Sequence, residues 1–149
     1  MDQMTSNAPR YQTHQATPAD AEYVFSLATR VQAALTASGS LQELTPSALE
    51  TIRASIHKEE ILIFTYTDAT SSTRLTPIGS VTISPFSPSS GHGSVSWGID
   101  EVGGKTWYLH SLMLEPTIQG NGLGKIFLEE TLKLSGKRNG AGTLVLDCW

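Results

Sequence analysis

Seven consecutive residues carry the strongest chemical signal in the chain: Gln119-Gly120-Asn121-Gly122-Leu123-Gly124-Lys125. Glycines at alternate positions leave an almost bare backbone where a helix-like run, Ile126 to Leu134, is about to begin. The first turn of a helix has N–H groups without intrahelical partners, and the aligned peptide dipoles make that end positive. Such a loop suits main-chain binding of phosphate, with glycine needed for close approach. These residues therefore point to an anion site for a phosphorylated ligand. Two common phosphate loops fail on spacing. A Walker loop needs Gly, four residues, then Gly-Lys-Ser/Thr. Here Gln119 holds the first glycine position and Ile126 the hydroxyl position. A dinucleotide fingerprint is Gly-x-Gly-x-x-Gly, and here the third glycine comes one residue early.

Those seven residues must be positioned by what precedes them. A strand-like run, Trp107 to Leu114, leads into the loop. Strict alternation would turn Trp107, Leu109, Ser111 and Met113 one way, and Tyr108, His110, Leu112 and Leu114 the other. The helix after the loop is expected to run to about Lys137, with Leu123, Ile126, Phe127 and Leu134 facing inward. Glu129, Glu130 and Lys133 are then its solvent side, and Asn139 to Gly142 stops it. Thr143 to Trp149 reads as a last strand.

Upstream, Tyr11 to Ala16 reads as a first strand behind a tail expected to be disordered, Met1 to Arg10. Thr17-Pro18-Ala19-Asp20 is a helix start, with Thr17 as cap and Pro18 in the first turn. The helix should continue to about Ala37, since Val24, Leu27, Ala28, Val31 and Leu35 make one apolar stripe. Thr45-Pro46 repeats the cap chemistry and predicts a second helix over Pro46 to Lys58, with Leu49, Ile52 and Ile56 inward. Ile61 to Tyr66 is an almost unbroken apolar run of strand length, which suits a strand covered on both faces. A polar hairpin loop, Asp68 to Arg74, leads to a strand over Ile78 to Ser84. Pro85 to Gly104 is a long Pro/Ser/Gly-rich loop that holds Trp97 and a short strand-like run, Val95 to Ile99. Trp97 either covers a ligand or pins the loop to the core.

Length and composition set the bounds. At 149 residues the chain is one domain by size, with 39% hydrophobic residues. A net charge of -4 argues against nucleic acid as a partner, since phosphate contacts need a basic face. No apolar run reaches membrane-spanning length, so no membrane partner is expected. The single cysteine, Cys148, rules out an internal disulfide and fits a reducing, cytoplasmic setting. It has no histidine near it in sequence and reads as a buried structural thiol. His14, His57 and His92 are scattered without metal-ligand spacing, so no metal site is expected.

The loop and its flanks together resemble the acetyl-CoA loop of the GNAT superfamily of N-acetyltransferases. The pattern Gln/Arg-x-x-Gly-x-Gly/Ala is filled by Gln119, Gly122 and Gly124, after a strand ending Leu112-Met113-Leu114-Glu115-Pro116. The resemblance covers roughly residues 11–149. It implies an α/β fold with a mixed, mainly antiparallel central sheet flanked by helices. The two helices between the first two strands are expected to shape an acceptor pocket. The family pattern continues with a further helix and two strands, for which this chain has no residues. A fragment, a completing C-terminal segment or a dimer partner is therefore expected.

The resemblance implies transfer of an acetyl group from acetyl-CoA, as co-substrate, to a primary amine on a small molecule or peptide. Main-chain amides of Gln119, Gly120, Asn121, Gly122, Leu123, Gly124 and Lys125 would take the pyrophosphate. Free backbone groups of Leu112, Met113 and Leu114 would pair with pantetheine, and an N–H near Met113 or Leu114 would polarise the thioester carbonyl. An amine with a pKa near ~10.4 must lose a proton first. An imidazole, titrating near pH ~6.5, suits that task. His110 is the candidate base and Tyr108 a candidate for orienting the proton path. The other reading of His110 is a core histidine bonded to a backbone carbonyl. Glu115, at the strand end, is either a further carboxylate of the site or a solvated turn residue. The catalytic acid is expected on the helix this chain lacks. A non-catalytic acyl-CoA-binding module and another kind of nucleotide-binding domain are the rival readings.

Overall fold

Sheet order and chain order coincide. Five strands, β1 (Arg10–Gln15), β2 (Ile61–Thr67), β3 (Leu75–Pro85), β4 (Thr106–Leu114) and β5 (Thr143–Val145), lie in the order β1-β2-β3-β4-β5. The first three pairings are antiparallel and β4–β5 is parallel. A parallel neighbour needs a crossover, which α3 (Leu123–Arg138) supplies. Two helices, α1 (Ala21–Ala37) and α2 (Leu49–His57), come between β1 and β2. The computed structural model describes residues 10–41, 48–67, 75–86, 106–138 and 143–146. The readings made for Thr45-Pro46, the 68–74 hairpin loop, His92, Trp97, the Val95–Ile99 strand, the 139–142 stop and Cys148 lie outside the described residues. Among the described residues no helix is long and apolar enough to cross a membrane.

The unbroken apolar run of β2 is covered on both faces, as its composition requires. Ile61 and Ile63 join a core with Val24, Leu27 and Val31 of α1 and with Ile52 and Ile56 of α2. Leu62 and Phe64 join a second core with Val81, Ile83, Leu109 and Phe127. Phe127 of α3 stacks on Phe64 with ring centroids 4.7 Å apart. α1 follows a short 3-10 turn over Pro18–Asp20, and that turn is held at Thr17. There the Asp20 carboxylate accepts the Thr17 N–H at 2.8 Å and the Thr17 hydroxyl at 3.2 Å.

The buried stripe of α3 differs from the one expected. Leu123, Phe127 and Leu134 face inward, but Ile126 is 37% exposed. Thr131 and Ser135 are buried instead. Phe127, Thr131 and Ser135 are spaced four apart, so the helix is aimed by its largest ring, and small hydroxyl residues follow it against the sheet.

Two local features shape β4. Gly79 of β3 stands opposite Leu114. A Cβ there would lie 2.6 Å from the Met113 carbonyl oxygen and 2.9 Å from Leu114 Cδ2, so glycine lets the strands approach. Three positions earlier β4 carries an extra residue. Thr82 pairs with His110 and Ser80 with Met113, so Ser111 and Leu112 together oppose Val81. Ser111 has φ 53°. This bulge reverses the alternation beyond it. Met113 therefore packs with α1 and α2, on the side of His110, whereas Leu114 packs with α3 beside Leu109. The uniform alternation expected from sequence holds only up to the bulge.

Gly79→Ala should destabilise the protein by about 1–3 kcal/mol, the usual cost of overpacking against backbone. Urea unfolding monitored by circular dichroism would measure it.

Candidate active site

A cavity of about 110 Å³ opens between the helical layer and the sheet. From α1, Val24 and Ala28 line it; from α2, Thr51, Ile52 and Ser55. The sheet contributes Ile61 and Thr82, and the bulged part of β4 supplies His110, Ser111 and Met113. The bulge is what brings His110 and Met113 to one cavity, since three residues apart on a regular strand they would face opposite ways.

The His110 ring is held by three neighbours. Its Nε2 lies 3.3 Å from the Ser84 hydroxyl and its Nδ1 lies 3.2 Å from the Ser111 hydroxyl. Tyr108, buried on the same side of β4, stacks on it at 4.9 Å between centroids. A hydroxyl can donate or accept, so both partners tolerate a change in the ring's protonation. The imidazole is half-buried at the cavity edge.

Beyond His110 the pairing of β4 is one-sided among the described residues. β5 pairs with β4 at Thr106, Trp107 and Tyr108. From Ser111 to Leu114 that second edge has no partner strand among the described residues. Leu112, on this stretch, is 40% exposed. Unpaired main-chain groups on a strand edge are ready to bond another extended chain.

The edge runs to the glycine loop. After Leu114 a short 3-10 turn, Pro116–Ile118, redirects the chain. The Gln119 side chain reaches back to donate to the Leu114 carbonyl at 3.2 Å, and Asn121 Nδ2 donates to the Ile118 carbonyl at 3.1 Å. Gly120 and Gly122 have φ of 87° and 76°, the left-handed region where glycine is favoured. A Cβ on either would meet nothing within 4 Å. The outer side of the loop is thus open, and Leu123 begins α3 just behind it. Open space, bare backbone and a helix N-terminus fit a diphosphate held by main-chain amides. Lys125 is exposed, 4.0 Å from Glu129.

One cluster was not legible beforehand. Arg30 Nη2 meets Glu115 Oε1 at 2.6 Å while Nε meets Oε2 at 3.0 Å, a two-pronged pair. The Tyr23 hydroxyl donates to the same carboxylate at 3.1 Å. Glu115 is therefore neither solvated nor free: it ties α1 to the end of β4, between cavity and loop. Glu115 is 85 residues from Arg30 in sequence, so no local pattern signals the pair. Burial, then the neighbouring Glu115 charge, drive the Tyr23 pKa well above the ordinary tyrosine range.

Similarity to known proteins agrees with this fold. The family model described as "Acetyltransferase (GNAT) family" matches residues 34–149. An acetyltransferase of the GNAT family from Listeria monocytogenes superposes with a TM-score of 0.70 at 22% identity, over 93% of this chain and 76% of that one. A tetramutant of the BH1408 protein of Bacillus halodurans gives 0.57 at 21% identity, over 93% and 83%. A predicted acetyltransferase of Clostridium acetobutylicum, solved with acetyl-CoA, gives 0.57 at 15% identity, over 95% and 81%. Among curated proteins no sequence matches significantly.

Because the Tyr23 pKa is raised on folding, the unfolded chain loses that proton first. The resulting stability is full below pH ~10 and is lost as pH rises beyond it. Phenolate absorbance followed from about pH 9 to 12 should leave at least one of the four tyrosines untitrated while the chain stays folded. Tyr23→Phe should remove one such silent group and flatten the alkaline loss of stability.

Proposed function

Because the chain belongs to the acetyltransferase (GNAT) family, we propose that it is an N-acetyltransferase that moves the acetyl group of acetyl-CoA to a primary amine. One observation carries this reading: His110 faces a cavity at the bulge of β4, and the same strand runs on to the glycine loop with no partner strand on its second edge among the described residues. Acceptor, acyl donor and a base can then meet along one strand. Acetyl-CoA supplies the activated acyl group as a thioester. The amine nitrogen bonds to the acetyl carbon as the carbon–sulfur bond breaks. One proton leaves the amine and one is taken up by sulfur, so no oxidant or reductant is needed.

The residues have separate tasks in this reading. Amides from Gln119 to Lys125 hold the diphosphate at the mouth of α3. Backbone groups of Leu112, Met113 and Leu114 pair with the extended pantetheine arm, and an N–H near Met113 or Leu114 donates to the acyl oxygen as charge grows there. His110 takes the amine proton. Its flanking hydroxyls, Ser84 and Ser111, hold the ring in place and provide a path for that proton. Tyr108 keeps the ring plane fixed by stacking. The Arg30–Glu115 pair sets α1 over the cavity. The single cysteine supports a reducing, cytoplasmic setting as part of the same reading.

Calorimetry with CoA tests the loop. Gly122→Asp should weaken binding about 10- to 100-fold, ~1.4–2.8 kcal/mol. Aspartate tolerates left-handed backbone better than most residues, so folding stability should fall by less than about 1 kcal/mol. Unchanged affinity would overturn the diphosphate assignment. Thiol release from acetyl-CoA, assayed with an amine panel, tests the base. His110→Ala should lower kcat by ~10²-fold or more with CoA affinity intact. CoA binding with no turnover on any amine would leave a CoA-binding module instead.

A further inference from the structure

We infer that the cavity selects a small amine with one positive charge and an apolar tail, and rejects acceptors carrying a second ammonium group. This deepens, and rests on, the acetyltransferase reading above. The reacting nitrogen must reach His110, so the rest of the acceptor extends towards α1 and α2. There it meets Val24, Ala28, Ile52 and Ile61, an aliphatic wall. The polar groups among the described lining are uncharged hydroxyls and the imidazole: Thr51, Ser55, Thr82, Ser111 and His110. The nearby carboxylate of Glu115 is occupied by Arg30 on both oxygens and by the Tyr23 hydroxyl on one of them. It is committed to holding α1 rather than to neutralising a ligand.

The physical consequence is one-sided. An ammonium pressed against aliphatic side chains loses hydration without gaining a counter-charge. For the reacting nitrogen that is useful, since desolvation favours the neutral amine that attacks. For a second, distal ammonium it is only a cost. Size points the same way. An apolar cavity of about 150 Å³ accepts a benzene ring, so one of about 110 Å³ suits a short alkyl chain or the edge of a ring, not a polycyclic or oligomeric polycation.

The test uses a matched pair, n-butylamine and putrescine, which share a four-carbon chain and differ by a terminal ammonium. With acetyl-CoA, kcat/KM should favour n-butylamine at least tenfold. Ser55→Asp places a carboxylate on the α2 wall at a half-buried position, and should shift the ratio towards putrescine at least tenfold. Calorimetry in the presence of CoA, which needs no turnover, gives the second readout: n-butylamine should bind more tightly than putrescine, and Ser55→Asp should reverse that order. Equal or preferred acetylation of putrescine by the unaltered protein would overturn the inference while leaving acetyl transfer standing. No acetylation of either amine, with n-butylamine still bound in preference, would sink acetyl transfer and keep the cavity's selectivity. No binding of n-butylamine by the CoA-loaded protein would overturn the inference itself.

Discussion

A strand has two edges, and among the described residues β4 commits its second edge to a neighbouring strand for three residues. Everything at the site follows from that limit. Up to Tyr108 the parallel partner β5 fixes the strand in the sheet. Past it, from Ser111 to Leu114, the edge has no partner strand among the described residues and runs beside the cavity that His110 and Met113 line. A buried or half-buried backbone group without a partner is costly, so this stretch favours whatever extended, amide-bearing chain can lie along it. The arm of a CoA thioester is such a chain.

The remaining features keep that edge at the right height and aim. Gly79 lets β3 come close behind Leu114. Leu114 in turn touches the first turn of α3, where a Cβ on Gly124 would sit 3.6 Å from its Cδ1. The Leu114 carbonyl is held by Gln119. Strand end, loop and helix mouth are thus joined through one leucine. On the opposite side, Glu115 fastens the same point to α1. The cavity and the glycine loop are therefore positioned from one short segment, residues 114–119, rather than by two independent supports.

Much of this could be read from residue types. Three alternate glycines announced the helix mouth, because left-handed backbone and close approach leave few other residues suitable. The unbroken apolar run of β2 announced burial on both faces, and the stripe of α1 its inward side. His110 and Tyr108 were expected on one face, and they stack there. The bulge was not legible, because its left-handed position is filled by serine, a residue that gives no backbone warning. Without the bulge, Met113 and Leu114 were assigned to the wrong layers. The Arg30–Glu115 pair escaped for a different reason: it is a contact across tertiary structure between two exposed-type residues. Ile126 misled because apolarity alone does not say which of two adjacent helix positions a large ring will claim.

Ser111 places two demands on one position. Its backbone is left-handed, which disfavours most side chains by roughly 1–2 kcal/mol, and its hydroxyl sits 3.2 Å from His110 Nδ1. Asparagine and aspartate meet the first demand at low cost and bring a polar atom of their own. Glycine meets it but offers the ring nothing, threonine keeps the hydroxyl but not the backbone ease, and valine and isoleucine meet neither. Mutational drift at this site should be confined to a narrow alphabet, while the adjoining Leu112, whose side chain is exposed, should be open to wide variation. Tolerance to change would thus alternate sharply within two neighbouring residues, a signature that aligned sequences of close relatives would carry even where the bulge itself cannot be seen.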